Sequence, residues 1–256
     1  MACPCRGLVM RQASQCVYVN LVRPEDVSSH HQTRWAGRGF RRALVCDFDG
    51  TITDMDTGRL VLTRFSDGDW MRYHEQYVRG EFSFEECLRR QYSHVTQATR
   101  ASILSLVDEQ VQIRRGFEEL LTAAARAEVP VAIASYGLDF CIEHVLHRVH
   151  GRESVQVSSP KAKLDGGAIT LAFPSARTRG VTNLKEDAVC WYKQKGFLVL
   201  FVGDGASDLP AAEKAGVCFA MEGSELAGMC EQKGIKYIAI KDFWPVVRAL
   251  TRGTPR

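Results

Sequence analysis

The sequence predicts an α/β protein, a doubly wound and mainly parallel sheet with a small helical segment inserted after its first strand. Three observations carry that expectation. Apolar runs at 43–46, 131–134 and 197–202 have the length of buried strands, and each ends abruptly in small polar residues. Each is followed by residues at helical spacing, the alternation that builds a parallel sheet with crossover helices. Between the first and second runs lie about 55 residues of helical pattern, far more than a plain crossover needs.

The chain has 256 residues, 45% apolar and 25% charged, enough for one domain with an insertion. No stretch of about 18 apolar residues is present, so no transmembrane helix is expected. The net charge of +3 is uneven. Residues 1–42 hold seven Arg and no Lys against Glu25 and Asp26, a net +5, which leaves −2 on the remainder. The body is therefore not a basic nucleic-acid surface. Nine Cys without a framework point to unpaired thiols in a reducing compartment. Cys3-Pro4-Cys5 lacks a matching second pair for zinc.

The Arg-rich residues 1–42 have transit-peptide composition, or form a disordered extension, with a short strand at 17–22. A cytoplasmic protein is expected, or a mitochondrial or plastid one if this segment is a transit peptide.

The first strand runs into ALVCDFDGTIT at 43–53. Asp47 and Asp49 share one face, since residues i and i+2 do so in a strand. Two like charges held together require a cation or a shared proton. A turn can use Asp and Gly for its own geometry, which is the bland alternative for Asp-x-Asp-Gly.

The insertion reads as helices around Leu60 to Phe65, Trp70 to Tyr77 and Phe84 to Gln91, then over 101–110. Ser83 and Glu86 have capping-box spacing. Trp70, Tyr73 and Tyr77 pack the insertion or face an apolar part of a ligand. A helix follows at 117–127. The strand at 131–134 ends at Ser135-Tyr136-Gly137 before a helix over 138–149. Ser135 and the Gly137 N–H there suit an anion, or simply cap the helix. Strands at 155–157 and 169–173, with a turn at 165–167, are assigned to one antiparallel flap carrying solvated Lys161 and Lys163. Asn183-Leu184-Lys185 opens a helix. The strand at 197–202 ends at Gly203-Asp204-Gly205-Ala206-Ser207-Asp208, followed by a helix. Carboxylates bracketing a Gly-rich turn at a strand's end, with a phosphate, are a donor set that Mg²⁺ prefers. Strands at 216–220 and 237–240 and a helix at 242–250 complete the chain.

DFDGTIT and GDGxSDxxAA together resemble the first and fourth motifs of the haloacid dehalogenase superfamily, whose phosphatases carry DxDx[TV]. The resemblance spans about residues 43–245 and implies a Rossmann-like core at 43–55 and 113–250, a helical cap at 56–112 and a tail at 251–256. Residues 79–91 are similar to the cap helix of the phosphoserine-phosphatase-like branch, and residues 135–140 to its methionine-salvage members. The resemblance implies Asp47 as nucleophile and Asp49 as acid and base, the second acid that a dehalogenase lacks. It implies that Ser135, Lys185 and the loop N–H groups of Phe48, Asp49 and Gly50 hold the phosphoryl group. Mg²⁺ would bind Asp47, Asp204 and the Asp49 carbonyl, with Asp208 supporting its waters or Lys185. In the cap, Asp56 matches an acid that holds a substrate amine, whereas Gln91 stands where phosphoserine phosphatases carry an Arg.

The function expected is a Mg²⁺-dependent hydrolysis of a small phosphate ester, with no nucleic-acid or membrane partner. The methionine-salvage enol phosphate is the leading substrate, with phosphoserine or phosphocholine as alternatives. A phosphotransferase using the same residues and a silent binding protein on the same fold are the rival functions.

Overall fold

The computed structural model describes residues 41–251. Six parallel strands form one sheet in the order β3-β2-β1-β6-β7-β8. They are β1 (Arg42–Cys46), β2 (Val131–Ala134), β3 (Val155–Ser158), β6 (Leu198–Gly203), β7 (Val217–Met221) and β8 (Ile238–Ile240). The chain winds outward from β1 through β2 to β3, then returns to β1's other side and winds outward through β6 to β8. The reversal lies between β1 and β6, the position where an open α/β sheet leaves a crevice at its carboxyl edge. β1 pairs with both neighbours, Val45 opposite Ala132 on one side and Phe201 on the other. The carboxyl ends of β1, β2 and β6 therefore lie side by side, which brings the residues following each strand together.

β1, β2 and β6 are central, and almost every residue in them is buried. Helices on both faces explain why their sequences are continuous apolar runs rather than alternating ones. These include α5 (Phe117–Arg126), α6 (Asp139–Leu146), α7 (Leu184–Gln194), α8 (Leu209–Lys214), α9 (Glu225–Lys233) and α10 (Trp244–Thr251). Phe117 on α5 meets Phe243, just before α10, with ring centroids 5.3 Å apart.

The insertion holds α1 (Thr57–Phe65), α2 (Met71–Val78), α3 (Phe84–Tyr92) and α4 (Arg100–Gln110). Each polar start is read by the backbone. Asp56 accepts from the Arg59 N–H at 2.8 Å, and Ser83 from Glu86 at 3.2 Å. Thr99 and Ser102 form a full capping box. The two stems of the insertion meet in an antiparallel bridge between Thr53 and Ile113. α4 also docks onto the core: His144 on α6 lies 2.8 Å from Asp108, and Arg100 stacks on Phe140.

Several expectations need correction. The flap does not contain residues 155–157. That segment is β3, which joins the parallel sheet beside β2. The hairpin is β4 (Lys161–Asp165) with β5 (Ala168–Ala172), turning at Gly166-Gly167. Alternation in 155–157 is compatible with either role, and only the pairing partner decides. Helix α9 is missing from the sequence reading, although Ser224 caps its start and Gly234, at φ +67°, ends it. At Ser83 only half of a capping box forms, because the Glu86 carboxylate pairs with Arg90 at 2.8 Å instead. Arg42 belongs to β1 rather than to the extension, and donates to the Ala249 carbonyl at 3.1 Å. Thr251 belongs to α10 rather than to the tail. The strand expected at 17–22 lies outside the described residues. No helix among the described residues is long and apolar enough to cross a membrane.

The hairpin turn is pressed against the insertion. Ala98 N–H donates to the Gly167 carbonyl at 3.3 Å, and Gly167 sits at φ +89° with no room for a Cβ beside the Thr96 carbonyl. Gly166, at φ +57°, has open space around it. Gly167→Ala is therefore expected to cost on the order of 1–3 kcal/mol, and more than Gly166→Ala, in urea unfolding followed by circular dichroism.

Candidate active site

Four segments converge at the crevice. Asp47 follows β1 by one residue and is held there by its N–H donating to Val202 at 2.9 Å. Ser135 follows β2, its N–H donating to Ser158 at 3.0 Å. Lys185 lies in the first turn of α7, whose N-cap Asn183 accepts from the Lys185 and Glu186 N–H groups. Asp204 follows β6, and Asp208 closes the turn after it.

The centre of the site is a buried ammonium shared by two buried carboxylates. Lys185 Nζ lies 2.7 Å from Asp208 Oδ1 and 3.0 Å from Asp47 Oδ1. It also donates to Ser207 Oγ at 2.9 Å. Relative exposures are 2% for Lys185, 4% for Asp47 and 0% for Asp208. Burial alone would lower the lysine pKa, but Asp208 and Asp47 raise it on balance, so the ammonium stays charged. Burial and the neighbouring Asp208 hold the Asp47 carboxyl well above the usual range despite Lys185. Burial, then Asp208, raise Asp204 to about 6.

Asp208 is anchored at both ends of its carboxylate. Its Oδ2 accepts from the N–H groups of Asp204 and Gly205 at 2.9 and 2.8 Å, while its Oδ1 faces Lys185. It fastens the loop through Oδ2, while its buried Oδ1 meets only the Lys185 ammonium in an ion pair.

Asp49 is turned away from this cluster. Its Oδ1 accepts from both the N–H and the hydroxyl of Thr57, at 2.8 and 2.6 Å. Its Oδ2 lies where a side chain on Gly137 would have to go. Burial and, secondarily, the charge of Asp56 raise its pKa to about 7, against the two hydrogen bonds from Thr57. Two carboxylates two residues apart thus have different surroundings.

The two glycines expected to donate N–H groups to a phosphoryl group have those N–H groups on neighbouring hydroxyls. Gly137 N–H donates to Ser135 Oγ at 3.0 Å, and Gly50 N–H to Thr53 Oγ1 at 3.3 Å. What these glycines supply is space. Gly50, at φ +72°, lets the Asp204 carboxylate approach where a Cβ would collide. Asp204 is further held by Thr51, whose hydroxyl donates to its Oδ1 at 2.7 Å.

Carboxylate oxygens of Asp47, Asp204 and Asp208 lie within 4.8 Å of one another. With all three ionised, the carboxylates around one ammonium would leave a net charge of −2, which a bound cation relieves. With Asp208 engaged, Asp47 and Asp204 remain as side-chain donors. One or two carboxylates, completed by water and a phosphate oxygen, are what Mg²⁺ selects. The donor set fits that ion. A cleft of about 830 Å³ opens beside Gly50 and Asp204, lined in part by Asp56, Arg59, Leu60 and Met221.

The cap residues singled out from sequence are placed differently from one another. Asp56 is exposed, lines this cleft and caps α1. Gln91 is buried inside the insertion, its amide donating to the Trp70 carbonyl at 3.4 Å. Tyr73 packs against His94, whereas Tyr77 starts a file of rings running from the insertion into the core and on to the hairpin. Centroids are 4.9 Å apart for Tyr77 and Phe84, 4.8 Å for Phe84 and Tyr136, and 6.1 Å for Tyr136 and Phe173. Lys161 and Lys163 are exposed on the hairpin, Lys161 pairing with Asp139 at 3.1 Å.

Sequence reasoning missed Thr57, Ser207 and Arg114. Ser207 lies inside the quoted Gly-rich turn, and Thr57 follows a helix cap, so both had a local signal. Arg114 had none, because its acceptors lie some 60 residues earlier in the chain.

A sequence profile of the haloacid dehalogenase-like hydrolases matches residues 44–213, well over half of the chain. The chain is 26% identical over 211 residues to the 2-hydroxy-3-keto-5-methylthiopentenyl-1-phosphate phosphatase of Brevibacillus brevis, covering 81% of this chain and 94% of that protein. It is 25% identical over 211 residues to the bifunctional enzyme MtnB/MtnX of Bacillus licheniformis, covering 81% of this chain but 48% of that protein. The chain thus spans about half the length of that relative. Among solved structures it is similar to a phospho-aspartyl intermediate analogue of phosphoserine phosphatase, with a TM-score of 0.63 and 18% identity over 82% of this chain and 99% of that one. At that identity the likeness is one of fold.

Two stability measurements test the electrostatics. Lys185→Met strands two buried carboxylates and is expected to cost about 3–5 kcal/mol in metal-free urea unfolding. Asp49 binds its proton more tightly folded, with a pKa of about 7, than unfolded. Its contribution is therefore fully present at acid pH and lost as pH rises through about 7. In EDTA, the stability of Asp49→Asn relative to the unsubstituted chain is expected to rise between pH 4 and pH 8. A difference independent of pH contradicts this assignment.

Proposed function

The chain belongs to the haloacid dehalogenase-like hydrolases, and we propose that it is a Mg²⁺-dependent phosphomonoesterase acting on a small metabolite through an aspartyl-phosphate. The observation that carries this reading is the division of labour between Asp47 and Asp49. Asp47 sits in the buried cluster with Lys185, while Asp49 is held outside it by Thr57.

In the first half-reaction, an Asp47 carboxylate oxygen attacks phosphorus and the bond to the leaving oxygen breaks. Asp49 gives that oxygen its proton, and a pKa near neutrality suits the transfer. In the second, Asp49 takes a proton from water as the water attacks phosphorus, and phosphate leaves with Asp47 restored. A carboxylate nucleophile divides one difficult hydrolysis into two easier steps. Ser135 and Lys185 hold the equatorial phosphoryl oxygens, where charge must be stabilised in transit. Asp47, Asp204 and the Asp49 carbonyl would hold Mg²⁺, which supplies positive charge beside the phosphoryl oxygens.

Residues 56–112 act as the cap. The ring file and the docked hairpin support closure of cap and hairpin together over Ser135. The names of the relatives favour the methionine-salvage enol phosphate as substrate. The buried Gln91 offers no charge for a substrate carboxylate, which disfavours phosphoserine. The six described cysteines are free thiols, consistent with a reducing, cytoplasmic setting.

The deciding experiment is phosphate release from a panel of small esters that includes the enol phosphate, phosphoserine and phosphocholine. Release is expected to stop in EDTA, return with Mg²⁺ and be absent in a folded Asp47→Asn variant. Asp49→Asn is expected to lose about 10²–10⁴-fold in phosphate release from every ester, whereas its first-turnover burst of p-nitrophenol from p-nitrophenyl phosphate, whose leaving group needs no proton, is expected to fall far less. Turnover by Asp47→Asn would sink the nucleophile assignment.

A further inference from the structure

Arg114 stands on the return stem of the insertion, one residue past the Thr53–Ile113 bridge. Its own N–H donates to the Ile52 carbonyl at 2.7 Å. Its half-buried guanidinium spreads over the turn that follows Asp49. Nε donates to the Thr51 carbonyl at 2.9 Å, and Nη2 to the Gly50 and Thr53 carbonyls at 2.9 and 3.3 Å. Nη1 reaches the Lys241 carbonyl, just past β8, at 3.4 Å. One side chain thus satisfies four carbonyls from two distant segments.

The consequence follows from peptide planarity. With the Gly50 and Thr51 carbonyls pinned toward Arg114, the N–H groups of the same two peptides must point the opposite way. They do: Thr51 and Ile52 N–H both donate to the Phe48 carbonyl, at 3.3 and 2.8 Å. Two successive peptide planes are therefore fixed on both edges. Between them emerges the Thr51 side chain, whose hydroxyl is delivered to Asp204 Oδ1 at 2.7 Å. The neighbouring Gly50, at φ +72°, is held with its bare Cα against the same carboxylate.

We propose that Arg114 is a positioning residue for metal binding, a planar fork that sets the turn after Asp49 and, through Thr51, aims the Asp204 carboxylate. A lysine cannot replace it, because an ammonium is a point donor and lacks the fixed spread of the guanidinium. Arg114 also ties the seat of the cap to the metal carboxylates, since the stem that carries it is the stem on which the cap closes. The proposal rests on the metal-dependent reading of this site.

The test measures Mg²⁺ binding to the full chain by calorimetry without substrate, for Arg114→Lys, Thr51→Val, the double variant, and Arg115→Ala as the exposed neighbour. Near-UV circular dichroism and urea unfolding check that each is folded. Arg114→Lys and Thr51→Val are each expected to weaken Mg²⁺ about 10- to 100-fold, the range for residues that orient a metal ligand. The double variant is expected to be little worse than either single one, because both act through one contact. Arg115→Ala is expected to bind as the unsubstituted chain does. A folded Arg114→Lys that binds Mg²⁺ normally overturns the proposal, even if its stability has fallen. So do strictly additive losses in the double variant. If Arg114→Lys does not fold, normal binding by Thr51→Val overturns it, since the contact would then carry nothing to Asp204. An unsubstituted chain that binds Mg²⁺ but hydrolyses no ester counts against the reaction alone, whereas one that binds no Mg²⁺ removes both.

Discussion

Lys185 neutralises only part of the charge around it, and that shortfall organises the site. A buried ammonium between Asp47 and Asp208 offsets two carboxylates at the cost of desolvating all three groups. Asp204 adds a further negative charge beside them. A core selected for stability alone would not retain such a cluster, because apolar side chains of similar volume are as good or better there. The surrounding structure sustains it with specific anchors. Asp208 is locked by two N–H groups of its own loop, Asp204 by Thr51, and Lys185 by Ser207 and the capped start of α7.

The same strand end carries a second carboxylate with different surroundings. Asp47 looks into the cluster and Asp49 looks toward Thr57 and Gly137. Spacing in sequence predicts the two side chains on one strand face, but β1 ends at Cys46 and both lie in the loop beyond it. Under the proposed reaction, the group near neutrality carries the proton and the group facing the ammonium attacks phosphorus. Gly137 contributes by lacking a side chain, so that Asp49 can occupy the space beside Ser135.

The file of rings is built from three separate pieces of chain. The insertion supplies Tyr77 and Phe84, the residue after Ser135 supplies Tyr136, and the hairpin supplies Phe173. Tyr136 is anchored where its hydroxyl accepts from the Leu184 N–H at 3.3 Å, one residue before Lys185. Ring packing therefore links the insertion to the residue whose charge the site depends on. The Gly167 turn pressed on the Thr96–Gln97 backbone closes the other end.

The sequence alone determined the parallel sheet, the positions of Asp47, Asp49, Ser135, Lys185, Asp204 and Asp208 at strand and helix ends, and the helical insertion. These are local properties: runs of apolar residues, caps and Gly-rich turns act over a few residues. Tertiary structure decided what each group touches. It put β3 in the sheet instead of the hairpin, because an edge strand and a flap strand share one alternation and differ only in partner. It committed the amides of Gly50 and Gly137 to hydroxyls, buried Gln91 against Trp70, and brought Arg114 to the turn after Asp49. A guanidinium meeting carbonyls some 60 residues away leaves no periodicity and no motif, since backbone carbonyls look alike in every sequence. Such contacts exist only once the chain has closed on itself.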